Sequence, residues 1–207
     1  MARRPLTHPR KQASQARSRA TVDALIEATA RILVRESFDR ASTNRIAQEA
    51  GVSIGSLYQY FPSKEALVAA VMDRHNQALM QVARGALAEV AELPLEQAVR
   101  RLVVIAIEAH RVHPRLHRVL AEQIPRTGRL KNIEAFNREN YGLFRTYLEG
   151  HREEIRAVDL ELAAFVCVTT IEALTHSAVL HHSERFPDEV SAALVDEATR
   201  LVVGYLE

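Results

Sequence analysis

A single cysteine, Cys167, stands in 207 residues, so an intramolecular disulfide is excluded and a reducing compartment is the natural setting. Tryptophan is absent, aromatic residues make up 5%, and glycine and proline number seven each. That is too little material for many strands and tight turns, and the remainder is rich in alanine and leucine; an all-α fold is expected. The opening "MARRPLTHPRKQASQARSRA" is basic without an apolar core of signal-peptide length. The longest apolar run, "LELAAFVCVTTIEAL", is cut by Glu161 and Glu172, short of the roughly 20 apolar residues a span requires. These two features lead us to expect a soluble, cytoplasmic protein with no membrane partner.

Charge is nearly balanced, at +1, but unevenly placed. Residues 1–75 hold 12 Lys+Arg against 7 Asp+Glu, whereas 76–207 hold 15 against 19. Arg3, Arg4, Arg10, Lys11, Arg17 and Arg19 all precede the first acidic residue, Asp23. Such an arm is either a solvated tail or a polyanion-binding segment, and the charge alone does not choose.

From Thr21 the apolar positions Val22, Leu25, Ile26, Ile32 and Leu33 recur at helical spacing and stop at Phe38-Asp39-Arg40. Ser42 or Thr43 can cap a short second helix, which Gly51 ends in the left-handed conformation. Ser53 caps a third helix of about two turns that Pro62 stops. Ser63 opens a fourth helix running toward Leu87. Further helical segments are interrupted at Pro94, Pro114 and Pro125, followed by a polar turn, "PRTGR", and a long helix ending near Gly150. Two more, from Leu160 to about His182 and Pro187 to Tyr205, complete about nine. The organisation expected is a basic arm over residues 1–20, a three-helix domain over 21–67 and a larger helical domain over 68–207.

A helix, a glycine-containing turn and a second short helix make a helix-turn-helix unit, whose second helix fits the DNA major groove. Leu57 and Phe61 point back into the core with Ile26, Leu33 and Phe38; Ala47 is small at the crossing and Val52 fills the angle. What remains exposed is Ser53, Ile54, Gly55, Ser56, Tyr58, Gln59 and Tyr60, small, hydrogen-bonding or aromatic residues without an acid among them. Gly55 permits close backbone approach, Ser56 and Gln59 can bond base edges, and tyrosine hydroxyls reach phosphates. Thr43 and Lys64 place a hydroxyl and an ammonium at helix amino termini, where phosphate is favoured.

The stretch "TNRIAQEAGVSIGSLYQYFPSKEAL" resembles the DNA-binding signature of the TetR family of bacterial transcriptional regulators. The resemblance rests on Gly51-Val52, Leu57-Tyr58, Tyr60-Phe61, Lys64 and Leu67, and it covers about a quarter of the chain. It implies that Thr43, Ser53, Gly55, Ser56, Tyr58, Tyr60 and Lys64 touch DNA, while Ile54 and Gln59 bear on sequence preference. Arg17 and Arg19 in the basic arm are added from charge alone. The family likeness also implies a carboxy-terminal helical domain for ligand binding and dimerisation. The expected activity is that of a ligand-responsive regulator, a repressor in the family's usual mode, that binds near-palindromic operator DNA as a homodimer. The alternative is an architectural or cell-division factor of the same fold answering to a protein partner.

In that second domain Phe136, Phe144, Tyr147 and Phe165 are candidate pocket walls, though core packing explains them as well. Glu172, interrupting an apolar helix, either faces the pocket or pairs with an arginine. The helix from Leu160 is apolar nearly all round, so a partner chain is expected to cover it and its successor through Leu174, Ala178, Val190, Leu194, Ala198, Leu201 and Val202. His110, His113 and His117 lie at spacings of three and four, but Pro114 interrupts their helix and no carboxylate completes a set, so no metal is expected. Cys167 reads as a buried hydrophobe. With no nucleophile motif or Gly-rich phosphate loop, neither enzymatic activity nor a cofactor is expected.

Overall fold

The computed structural model describes residues 16–122, 126–156, 158–182 and 188–207, with side chains excepted at 16–17, 126–133 and 188–191. Among these the chain forms nine helices and no strand: α1 (Ala16–Glu36), α2 (Thr43–Glu49), α3 (Ile54–Tyr60), α4 (Lys64–Glu89), α5 (Leu95–Val112), α6 (Pro114–Glu122), α7 (Arg126–Gly150), α8 (Leu160–His181) and α9 (Asp188–Leu206). Two compact units result. The first comprises residues up to Asn76 and Arg115–Ile133, the second Gln77–Pro114 and Glu134–Glu207.

Three boundaries differ from expectation. α1 begins inside the expected 1–20 arm, whose residues 1–15 lie outside the described part. "RTGR" is the first turn of α7 instead of a loop, since one glycine costs a helix only about 1 kcal/mol. α6 joins the first unit, so the division is not a single cut near residue 67. Val119 and Leu120 bury in its core, and Pro114 starts α6, where a missing N–H costs nothing, as well as ending α5.

The first core is built from α1 residues Leu25, Ile32 and Leu33, from Ile46 and Ala47 of α2, Leu57 of α3, Phe61, and Leu67 and Val68 of α4. α2 and α3 are too short to persist alone, so packing of these side chains holds them. Ser42 caps α2, accepting from the Arg45 N–H at 3.4 Å, and Ala50 N–H donates to Ile46 O at 2.9 Å. Gly51 then adopts φ +68°, letting its N–H reach Gln48 O and the Val52 N–H reach Ala47 O at 3.0 Å. A Cβ at Gly51 would meet nothing within 4 Å, so the glycine is required by φ alone. Ser53 caps α3 by accepting from Ser56 N–H at 3.1 Å. Phe61 leaves the helix extended, as the residue before a proline must.

Arg45 grips the largely buried Glu36 through both terminal guanidinium nitrogens, at 2.6 and 2.7 Å. Arg31 and Arg35 reach Glu49 at 3.0 and 3.2 Å, and their hydrogen bonds hold its carboxyl below the usual range. This charge lattice fixes α2 against α1 in one register.

In the second unit α5 packs on α8 and α9 over Ala98, Val99, Val103, Ala163, Ala164, Cys167, Ala198 and Val202. Asp159 caps α8 by accepting from the Leu162 N–H, and Arg156 closes the end of α9 by donating to Leu206 O and Tyr205 O. α8 is in fact long and apolar enough to cross a membrane by length and composition. A third of that apolar stretch is buried, in the core of the second unit.

Candidate nucleic-acid interface and cavity

α3 turns Leu57 inward and leaves Ser53, Ile54, Gly55, Tyr58 and Gln59 exposed, with Ser56 half-buried. Tyr58 is 42% exposed, and its hydroxyl lies 3.0 Å from Thr43 Oγ1 at the start of α2, so the two hydroxyls share one side of the unit. Ser56 Oγ is 2.9 Å from Ser53 Oγ. Gly55 is open: the nearest atom a Cβ would meet is Ser53 Oγ, at 3.9 Å. Lys64 does not project freely. Its ammonium donates to Phe38 O at 2.9 Å and sits 4.1 Å from the Phe38 ring centre, leaving donors for another acceptor. Arg19 is exposed on α1, whereas the Arg17 side chain lies outside the described residues.

Tyr60 corrects the sequence reading. It was placed on the exposed face, but it is buried with its hydroxyl 2.8 Å from Ser18 Oγ. Position 60 lies three residues after Leu57, on the same helix stripe, and is drawn into the core with it.

Within the second unit a cavity of about 110 Å³ lies among α4, α5, α7 and α8. Phe136, Phe144 and Glu172 line it, with Leu79, Ile105, Val168 and Asn140, which the sequence did not single out. Tyr147 and Phe165 are not among its walls. Tyr147 is buried against His151, ring centres 4.3 Å apart, and burial with the charge of Glu154 pushes its phenol up to about 12. Phe165 lies one turn before Val168, 49% exposed and edge-on to Tyr141.

Glu172 lies beside a histidine: His110 Nε2 is 3.6 Å from its Oε1, and His110 Nδ1 is 2.6 Å from Ala106 O. Burial lowers the imidazole pKa, but the hydrogen bond and charge of Glu172, with the Ala106 carbonyl, outweigh it and leave the net direction upward from 6.5. His176, on α8, also faces it, ring centres 5.7 Å apart. A raised folded value means the stabilisation is complete below 6.5 and lost as pH rises through that value. The thermal midpoint is therefore expected to fall as pH is raised from about 6 toward 8, and Glu172→Gln to flatten that slope in a melting series. A midpoint that rises across this range would contradict the pairing.

The three spaced histidines do not gather. His110 is buried in the second unit, His113 ends α5 exposed, and His117 pairs with His75 at 2.8 Å in the first unit. Among the described residues there is no cluster of three or more metal-ligating side chains. Cys167 is buried, and burial raises its thiol to about 12, so it packs as a hydrophobe.

The expected partner-facing set also needs correction. Ala178, Ala198 and Val202 are buried within the subunit, the last two in the α5–α8–α9 core, and Leu174 and Leu194 are half-buried against that core. Val190 has no described side chain. Of the six with described side chains, Leu201 alone is exposed, at 58%, and it is accompanied by Leu162 at 54% and by Phe165. Side chains at a 3.6-residue period divide between two faces, and an all-apolar helix carries no mark of which face turns inward.

A three-helix unit presenting a two-turn helix after a left-handed glycine, followed by a helical unit with a cavity, defines a helix-turn-helix protein with a separate helical domain. Residues 25–71 match the family model of "Bacterial regulatory proteins, tetR family", and residues 94–206, more than half of the chain, match "Tetracyclin repressor-like, C-terminal domain". The chain belongs to the tetR family of bacterial regulatory proteins. A curated relative, the nucleoid occlusion factor SlmA of Haemophilus ducreyi, is 33% identical over 85 residues, 41% of each chain. The chain thus matches about two fifths of the length of such relatives. Among solved structures, the fatty acid degradation regulator FadR from Bacillus halodurans superposes with a TM-score of 0.68 at 20% identity, covering 89% of this chain and 95% of that one. SmeT, the repressor of the Stenotrophomonas maltophilia multidrug efflux pump SmeDEF, gives 0.65 at 18%, covering 90% and 92%. At such identities these likenesses establish the fold.

Proposed function

We propose that this protein is a homodimeric transcriptional regulator that binds near-palindromic operator DNA through α3 and is modulated by a small molecule in the cavity of the second unit. The observation that carries the reading is the face of α3: Ser53, Ile54, Gly55, Tyr58 and Gln59 stand exposed, without an acid, on a helix whose other face is fixed in a core. In this reading Thr43 and Tyr58 bind one phosphate as a hydroxyl pair, and Lys64 supplies charge beside the backbone. Gln59, Ser56 and Ile54 meet base edges. Arg17 and Arg19 add salt-sensitive contacts. Repression is the expected sign of regulation.

The dimer forms through the exposed apolar side chains of α8 and α9, Leu162, Phe165 and Leu201 in particular. Effector control runs through α4, one helix that begins at Lys64 and contributes Leu79 to Leu87 to the cavity wall. A ligand shifts DNA affinity only by as much as it prefers one state, and a nearly complete switch requires about 5.5 kcal/mol.

The test is selection from random duplex DNA with the full chain. Enrichment of a near-palindrome whose half-sites lie about 34–36 Å apart, or a multiple, is expected. Recovery of no common sequence at moderate salt would count against the proposal. A second reading, a DNA-bound factor answering to a protein partner, draws on the SlmA match. The cavity favours the effector reading.

A further inference from the structure

We propose that Tyr60 is a positioning residue for DNA binding: through Ser18 its hydroxyl holds the first turn of α1, and with it the basic positions 17 and 19, beside the carboxyl end of α3. The inference rests on reading α3 as the groove-binding helix and adds how the basic arm is joined to it.

The Tyr60 hydroxyl is turned away from the exposed face of α3. The residue is only 9% exposed, and its hydroxyl lies 2.8 Å from Ser18 Oγ, so its hydrogen bond is made inside the unit. The partner stands in the first turn of α1 between Arg17 and Arg19, and Arg10 and Lys11 precede it in the chain. The bond therefore joins the last residue of α3 to the root of the basic arm.

That root has little else in its favour. The first turn of α1 contains no acidic residue, and Arg17 and Arg19 fall at the positive end of the helix dipole, where cations are unfavourable. No described side chain of α1 before Leu25 is buried, and Val22 is the first apolar one packed against the core. A helix end without burial frays, because its residues give up backbone freedom for few hydrogen bonds. Tyr60, itself fixed in the core, supplies a tie at that end. A tied turn keeps its cations beside the duplex that holds α3, whereas a frayed one spreads them through a larger volume and lowers their effective concentration at the phosphates.

This role separates Tyr60 from Tyr58. A neutral hydroxyl that touches a phosphate releases no counterion, so its removal weakens binding equally at every salt concentration; a hydroxyl that places cations changes the salt dependence itself.

The experiment measures the affinity of the full chain for an operator selected by the wild type, and for base-substituted versions of it, between about 50 and 200 mM salt. It compares wild type, Tyr60→Phe, Ser18→Ala and the double variant. Tyr60→Phe leaves the ring in the core and should keep the helical spectrum. Each single variant is expected to lose about three- to tenfold in affinity at the low-salt end. The slope of log affinity against log salt should become shallower by about 1, with the ranking of the substituted operators unchanged. The double variant should bind no more weakly than the singles, since both remove one bond. Losses that multiply in the double variant, or a salt slope equal to that of the wild type, would overturn the assignment and leave the reading of α3 standing. A wild-type chain that prefers no duplex sequence would overturn both.

Discussion

Phe61→Ala is expected to cost the first unit about 3–5 kcal/mol, a large part of the stability of any small domain. Phe61 is among the largest fully buried side chains, and its own N–H closes α3 on Leu57 O at 2.9 Å. Removing the ring opens a cavity where α1, α2, α3 and α4 supply the walls, and α2 and α3, at seven residues each, have no independent stability to fall back on. For a unit of this size each kcal/mol lowers the melting midpoint by about 4–8 °C, so a shift above about 12 °C is expected in thermal circular dichroism. Ile54→Ala, on the exposed side of α3, should move it by little, within about 0.5 kcal/mol. Comparable shifts for the two variants would mean that α3 is oriented otherwise than described.

The double variant Phe165→Glu, Leu201→Glu is expected to dissociate the dimer. Both side chains are about half exposed on the subunit and stand on the two helices proposed to meet their copies. A two-fold axis doubles every substitution, so four carboxylates enter one apolar patch. Truncating a hot-spot anchor costs about 2 kcal/mol or more, and burying unpaired charge adds to that, so dimer affinity should fall by more than about a hundredfold. Sedimentation velocity at micromolar concentration should report a monomer that keeps its helical spectrum. A dimer of unchanged stability would place the interface on another face.

How much of this was legible follows from what each signal depends on. Caps and turns are local chemistry, so Ser53, Gly51 and Pro62 placed the limits of α3 correctly, and Ser63 caps α4 by accepting from Ala66 N–H as expected. Facing is tertiary and was read only where a polar side contrasted with an apolar one. Tyr60 was misplaced because a tyrosine suits either side of a helix; its partner, Ser18, lies 42 residues earlier. The apolar stripe of α9 was read as a partner face although it carries Ala198 and Val202 of the subunit's own core, and α8 gave no direction at all, so Leu162 and Phe165 were not recognised as exposed companions of Leu201. Glu172 was singled out as an oddity in an apolar helix, and the cavity gave it a place. Its neighbour His110 comes from α5, a pairing no spacing encodes.

The central claim is that α3 reads a duplex groove, and the most direct measurement of it is the affinity of Tyr58→Phe and Gln59→Ala for a selected operator and for base-substituted versions of it, across a salt series. Loss of the Tyr58 hydroxyl is predicted to weaken binding uniformly over all these sequences, and Gln59→Ala to cost about 1–3 kcal/mol at one base pair and relax preference there. Wild-type affinity and unaltered preference in both variants would contradict the account.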